Sequence, residues 1–112
     1  MSGKREQGQE YEQAFLCSLL IASPDDLPRL SIQARYFSST HNGLIFKAYQ
    51  EQRKKGIKPD IVTLCHDPVL AGVDKSYISS LTDKIPSAAN IQFYESEIIK
   101  AWQAHTAKDA AK

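Results

Sequence analysis

Beyond Asn90 the apolar residues of this chain recur at helical spacing: Ile91, Tyr94, Ile98, Ala101 and Trp102 share one stripe, with His105 in the same row. The Ala-rich stretch from Ala104 to Ala111 favours continued helix even without packing. A stripe of this kind gains about 25 cal/mol per Å² only where something covers it. Nowhere does the sequence sustain the period-two alternation of a half-buried strand. The expected fold is therefore all-α: a compact, orthogonal multi-helix bundle of about six helices ending in one long C-terminal helix.

Upstream, Tyr11, Phe15, Leu16, Leu19 and Leu20 recur at spacings of three and four, which predicts a helix from Glu10 to Ala22. Residues 1–9 are polar and include Gly3 and Gly8, so they are expected to form a flexible leader, or a frayed first turn, to a single domain over 10–112. Ser23 as N-cap, Pro24 at the first helical position and Asp25-Asp26 behind it predict a short second helix, limited by Pro28. Ser38, Ser39 and Thr40 are candidate caps for a third helix with Leu44, Ile45, Ala48 and Tyr49 on its apolar face. There Glu51 stands four residues before Lys55, and Gly56 ends the helix. Asp60 caps a fourth helix that turns Ile61 and Leu64 inward, and Asp67-Pro68 repeats the start signal in a turn closed by Gly72. Tyr77, Ile78 and Leu81 predict a helix from Ser76 that stops before Pro86, and the long last helix opens at Ser87.

At 112 residues and 42% hydrophobic content the chain can bury one modest core. Its net charge of +1 supplies no overall field that would draw it to nucleic-acid phosphates. The local cluster Arg53, Lys54, Lys55 and Lys58 reads as a solvated helix end whose cations complement the helix dipole, and it is also the place to test for weak single-stranded DNA contact. No window approaches the ~18 apolar residues of a membrane span, and Met1 to Glu12 lacks the apolar core of a signal peptide. A cytoplasmic protein with no membrane contact is expected, its Cys17 and Cys65 reduced.

The five glycines are isolated, and none precedes a Lys-Ser or Lys-Thr pair in the frame of a phosphate loop, so no nucleotide or other cofactor is expected on this chain. Cys65-His66-Asp67 groups three chemically capable side chains, but neighbours on a helix start point about 100° apart and cannot converge on one ion unaided. A packed cysteine beside a surface histidine is the expectation, with no metal site and no catalytic residue. His41 is placed to pack against Tyr36 or Phe37, or to hydrogen-bond to a neighbouring loop. Trp102 divides between two roles: packing on Tyr94 or Phe15 within the chain, or serving as an interface residue.

Three blocks of residues carry a resemblance. Glu12-Gln13-Ala14-Phe15-Leu16 with Leu19-Leu20 is the first; His41, Ile45-Phe46, Ala48, Gly56, Asp60 and Val62-Thr63-Leu64 is the second. The third comprises Tyr77, Leu81, Pro86-Ser87-Ala88-Ala89-Asn90 and Tyr94. In order and spacing they resemble the N-terminal domain of DnaB-type bacterial replicative helicases over roughly residues 10 to 102. Cys17 stands where that family usually has glycine, and His66 to Lys75 is shorter than its counterpart, as in a divergent helicase or a stand-alone paralogue.

The resemblance implies a helical head followed by a hairpin through which subunits dimerise, three dimers forming a hexamer, with the helix from Ser87 as the hairpin's first arm. It implies a non-catalytic scaffold that receives the C-terminal domain of primase and in some systems a loader, while a separate ATP-binding motor domain, absent from this chain, unwinds DNA from 5′ to 3′. The alternative is a stand-alone helical adaptor that modulates a helicase or primase. On either reading the expected self-association and partner surface is the last helix, through Ile91, Tyr94, Ile98, Trp102 and His105.

Overall fold

The computed structural model describes the backbone of residues 3–22, 29–83 and 88–110, with side chains described from 9 to 106 within those spans. Five α-helices are present among them: α1 (Gly3–Ile21), α2 (Thr40–Lys54), α3 (Ile61–Cys65), α4 (Lys75–Ser80) and α5 (Ile91–Ala110). Three 3-10 turns, Ala34–Tyr36, Pro68–Leu70 and Leu81–Asp83, link them, and no strand occurs among the described residues. The all-α expectation holds. The second of the six expected helices, with Ser23, Pro24, Asp25, Asp26 and Pro28, falls outside the described residues.

α1 and α5 make the most extensive contact, because each presents an apolar stripe to the other. Phe15, Leu16 and Leu19 of α1 meet Ile45, Phe46, Ala48 and Tyr49 of α2, and Leu64, Leu70, Val73, Ile78, Leu81, Ile91 and Ile98 close the core. At its centre Phe15, Phe37 and Phe46 form a triangle of tilted rings with centroids 5.3 to 6.1 Å apart.

The helix ends follow the chemistry of their caps. Ser39 Oγ accepts from the Asn42 amide and starts α2; Asp60 and Thr63 form a reciprocal capping box on α3; Asp67 and Asp74 cap the next two starts. α2 ends in a Schellman motif: the Ile57 amide donates to the Gln52 carbonyl and the Gly56 amide to that of Arg53, with Gly56 at φ 83°.

Four expectations change. α1 begins at Gly3, inside the segment read as a leader, consistent with the helix-favouring Lys4 to Gln7. Glu51 pairs with Lys54 at 3.7 Å rather than with Lys55, which has already left the helix as its C-cap. His41 is exposed, while its neighbour Asn42 takes the inward position. α5 starts at Ile91 rather than at Ser87, since residues 88–90 form a turn in which the Ile91 amide donates to the Ala88 carbonyl.

One polar feature organises this arrangement. Glu12 of α1 is 3% exposed, and its carboxylate accepts from the Ser38 amide (2.7 Å), Ser38 Oγ (2.7 Å), the Ser39 amide (3.2 Å) and Asn42 Nδ2 (2.9 Å). It sits at the positive end of α2 and takes up donors that helix cannot satisfy itself. Close approach is secured at Gly43, where a Cβ would lie 2.9 Å from the Ala34 carbonyl oxygen. Glu12→Gln keeps the shape but turns an amide NH2 toward donors, and should lower unfolding free energy by about 2 to 3 kcal/mol in urea titrations followed by circular dichroism, with the m-value unchanged. A loss below about 0.5 kcal/mol would remove Glu12 from this role.

Candidate interaction surface

The stripe on α5 is largely covered within the chain. Ile91 and Ile98 are core residues, 6% and 2% exposed, so these two cannot serve as surface for a partner while the head is folded. Of the five residues expected to form a partner surface, Ile91 and Ile98 are thereby removed. Tyr94 is half-buried, its ring 6.4 Å from Tyr11, and Phe93, which the periodicity had left off the stripe, is 53% exposed between Tyr11 (5.9 Å) and Tyr94 (6.0 Å). His105 is exposed, as are Ala101, Gln103 and Ala104.

Trp102 stacks on Tyr36 with ring centroids 4.1 Å apart and planes 26° from parallel, and the Arg35 guanidinium lies 5.4 Å from both rings. Its partner is thus neither Tyr94 nor Phe15. The stack fastens the 3-10 turn Ala34–Tyr36 to the far end of the described core.

At the opposite end of α2, Arg53, Lys54, Lys55 and Lys58 are all exposed. Arg53 is held over Tyr49, its Nη1 donating to the phenol oxygen at 3.4 Å and its guanidinium carbon 5.9 Å from the ring centre. Arg53 and Lys58 border an open cleft of about 200 Å³ whose other walls include Leu19, Leu20, Ile57 and Pro59.

Cys65, His66 and Asp67 do not converge. Cys65 is half-buried, and the exposed His66 directs Nδ1 to the Val62 carbonyl oxygen at 2.9 Å. Asp67 accepts from Gln52 Nε2 and the Val69 amide, each at 2.9 Å. No disulfide joins Cys17 and Cys65, and no group of three His, Cys, Asp or Glu among the described residues could hold a metal ion. No helix among them is long and apolar enough to cross a membrane.

Sequence reasoning missed the buried polar groups. Besides Glu12, Glu95 Oε2 accepts from the Ser31 (2.8 Å) and Ile32 (3.1 Å) amides, and Gln52 Nε2 donates to the Thr63 carbonyl at 3.1 Å. Tyr77 donates its hydroxyl to Asn42 Oδ1, whose amide nitrogen in turn donates to Glu12. This chain of hydrogen bonds ties α1 to the start of α2 and to α4.

Comparison with known proteins fits this picture. Residues 4–100 match the model of the DnaB-like helicase N terminal domain. The chain belongs to that family. The replicative DNA helicase DnaB of Treponema pallidum (strain Nichols) is 37% identical over 91 residues, which are 76% of this chain and 21% of that protein. The chain therefore spans about a fifth of that relative's length. The crystal structure of the N-terminal domain of DnaB helicase from Mycobacterium tuberculosis has the same fold, with a TM-score of 0.68 and 19% identity over 84% of this chain and 69% of that one.

Within this DnaB-like domain, several residues that carried the resemblance have structural tasks: Glu12 pins the start of α2, Gly56 turns its end, Asp60 and Thr63 cap α3, and Tyr77 extends the Glu12 network. Pro86 and Ser87 of the most specific block lie outside the described residues. Burial raises the Tyr77 pKa above 10.0; the nearby Glu12 charge acts in the same direction and a Gln13 hydrogen bond opposes it. Burial likewise raises Tyr49. A raised acid keeps its proton longer when folded, so its contribution to stability is complete below the unfolded pKa of about 10 and is lost as pH rises through the folded value. Denaturant titrations from neutrality upward should show falling stability above about pH 10, with a shallower fall in Tyr77→Phe. An identical slope in that variant would assign the loss to other groups.

Proposed function

We propose that this chain is a non-catalytic scaffold of a replicative DNA helicase, forming oligomers and receiving the C-terminal domain of primase, or a loader, at the replication fork. The observation that carries this reading is the family match over residues 4–100 together with the similarity to a replicative DnaB helicase. Support also comes from the buried carboxylates: Glu12 and Glu95 are taken up by backbone amides and side chains of other segments. ATP hydrolysis and strand separation belong, on this reading, to a motor domain of the full-length helicase, acting in the cytoplasm.

Because Ile91 and Ile98 are committed to the core, self-association through α5 would use its outer side, from Phe93 and Tyr94 to the open side of Trp102 and His105. Ala101 and Ala104 are exposed there and small enough for close helix approach. Sedimentation equilibrium of the chain should show a reversible dimer that Ala101→Arg/Ala104→Arg weakens by about tenfold or more without altering the thermal melt of the dilute monomer, since Arg is nearly as good a helix former as Ala. Calorimetric titration with the C-terminal domain of primase from the same organism should show saturable binding. A folded dimer that leaves primase unbound would move the assignment to the stand-alone adaptor.

A further inference from the structure

The cleft at the end of α2 is not used by the packing described so far. We infer that it is a docking site for an acidic, amphipathic peptide segment of a partner protein, one apolar side chain seated in the cleft and carboxylates on Arg53 and Lys58. This site is separate from self-association through α5.

Three observations support this. First, about 200 Å³ is below the roughly 300–1,000 Å³ of small-molecule pockets and suits an anchoring side chain instead. Its lining is an apolar floor, with Ile57 still 42% exposed, where burial by a partner gains free energy. Second, the described lining carries two cations, Arg53 and Lys58, and no carboxylate, and the exposed Lys55 lies between them in sequence. The nearest acids in sequence are engaged: Glu51 pairs with Lys54, and Asp60 caps the Thr63 amide. Third, part of the wall is positioned before any partner arrives: the Schellman motif sets the Ile57 backbone, and the Arg53 guanidinium lies against Tyr49, so less freedom is lost at these two positions on docking.

The same cations suit nucleic-acid phosphates less well. The aromatic ring beside them, Tyr49, is 4% exposed and presents no face on which a base could stack, and a phosphate backbone leaves the apolar floor uncovered.

Displayed random peptides selected on the immobilised full chain test the assignment. The selected sequences should combine Asp or Glu with a Leu, Phe or Trp anchor, and the synthesised winner, followed by fluorescence anisotropy, should bind more weakly as salt rises from about 50 to 300 mM. Arg53→Glu/Lys58→Glu should weaken it by about tenfold or more, and Ile57→Ser by several-fold, with thermal melts unchanged. Amide shifts in NMR spectra should map to Leu20, Arg53, Ile57 and Lys58. Failure to enrich such a sequence, or affinity unaffected by the charge reversals, would overturn the inference. So would an oligo(dT) strand that displaces the peptide and loses its own binding in the Arg53→Glu/Lys58→Glu variant, which would assign the site to DNA.

Discussion

The fold hangs on the placement of two carboxylates that water would otherwise hold. Glu12 on α1 and Glu95 on α5 are both buried, and between them they take up the amides of Ser31, Ile32, Ser38 and Ser39. Those amides belong to the extended segment that leads into α2, which has no strand partner to satisfy it. Desolvating a carboxylate costs several kcal/mol, and charge-assisted hydrogen bonds of about 1.5 to 3 kcal/mol each offset it only when several form together. Glu12 receives four such bonds. Their net contribution to stability is small beside what they exclude, since any other register of this segment against α1 leaves a buried charge without donors.

That constraint sets where the aromatic residues can go. With Ser38 and Ser39 fixed on α1, Phe37 is delivered between Phe15 and Phe46, and Tyr36 points the other way onto Trp102. One side of the segment thus closes the core and the other ties down α5. Asn42 passes the Glu12 network on to Tyr77, so α4 is registered against the same charge, although it lies far along the sequence.

Most of the helices were legible because their stop and start signals are local: Ser39, Gly56, Asp60 and Asp67 act within three residues of where they stand. The buried polar residues were not, because their donors come from distant parts of the chain. A signal was nonetheless present. Glu12, Phe15, Leu16 and Leu19 stand at i, i+3, i+4 and i+7, and so do Asn42, Ile45, Phe46 and Tyr49; Glu95 lies between Ile91 and Ile98 on the α5 stripe. A charge or amide on an apolar stripe must be buried with its neighbours, and it must then find partners. Ile91 and Ile98 were read as partner surface for a related reason. Periodicity identifies which face of α5 is buried, but nothing in the spacing says whether α1 or a second molecule buries it.

The two halves of α5 consequently have different physical characters. Through Ile98 it is a core helix, held by apolar contact and by the Glu95 carboxylate. Past Trp102 the described residues Gln103 to Thr106 are all exposed, and helix there rests on the high propensity of alanine and on local bonds such as Thr106 Oγ1 to the Trp102 carbonyl. Short helix in water is marginal without packing, and the Trp102–Tyr36 stack anchors this end of α5 to the head. A segment that is helical but barely stabilised on its own gains order when a partner packs on it, and the ordering is then part of the binding free energy. Assembly through this end of α5 would therefore depend on the head in one specific way: the core and Trp102 supply the helical nucleus from which the outer turns propagate.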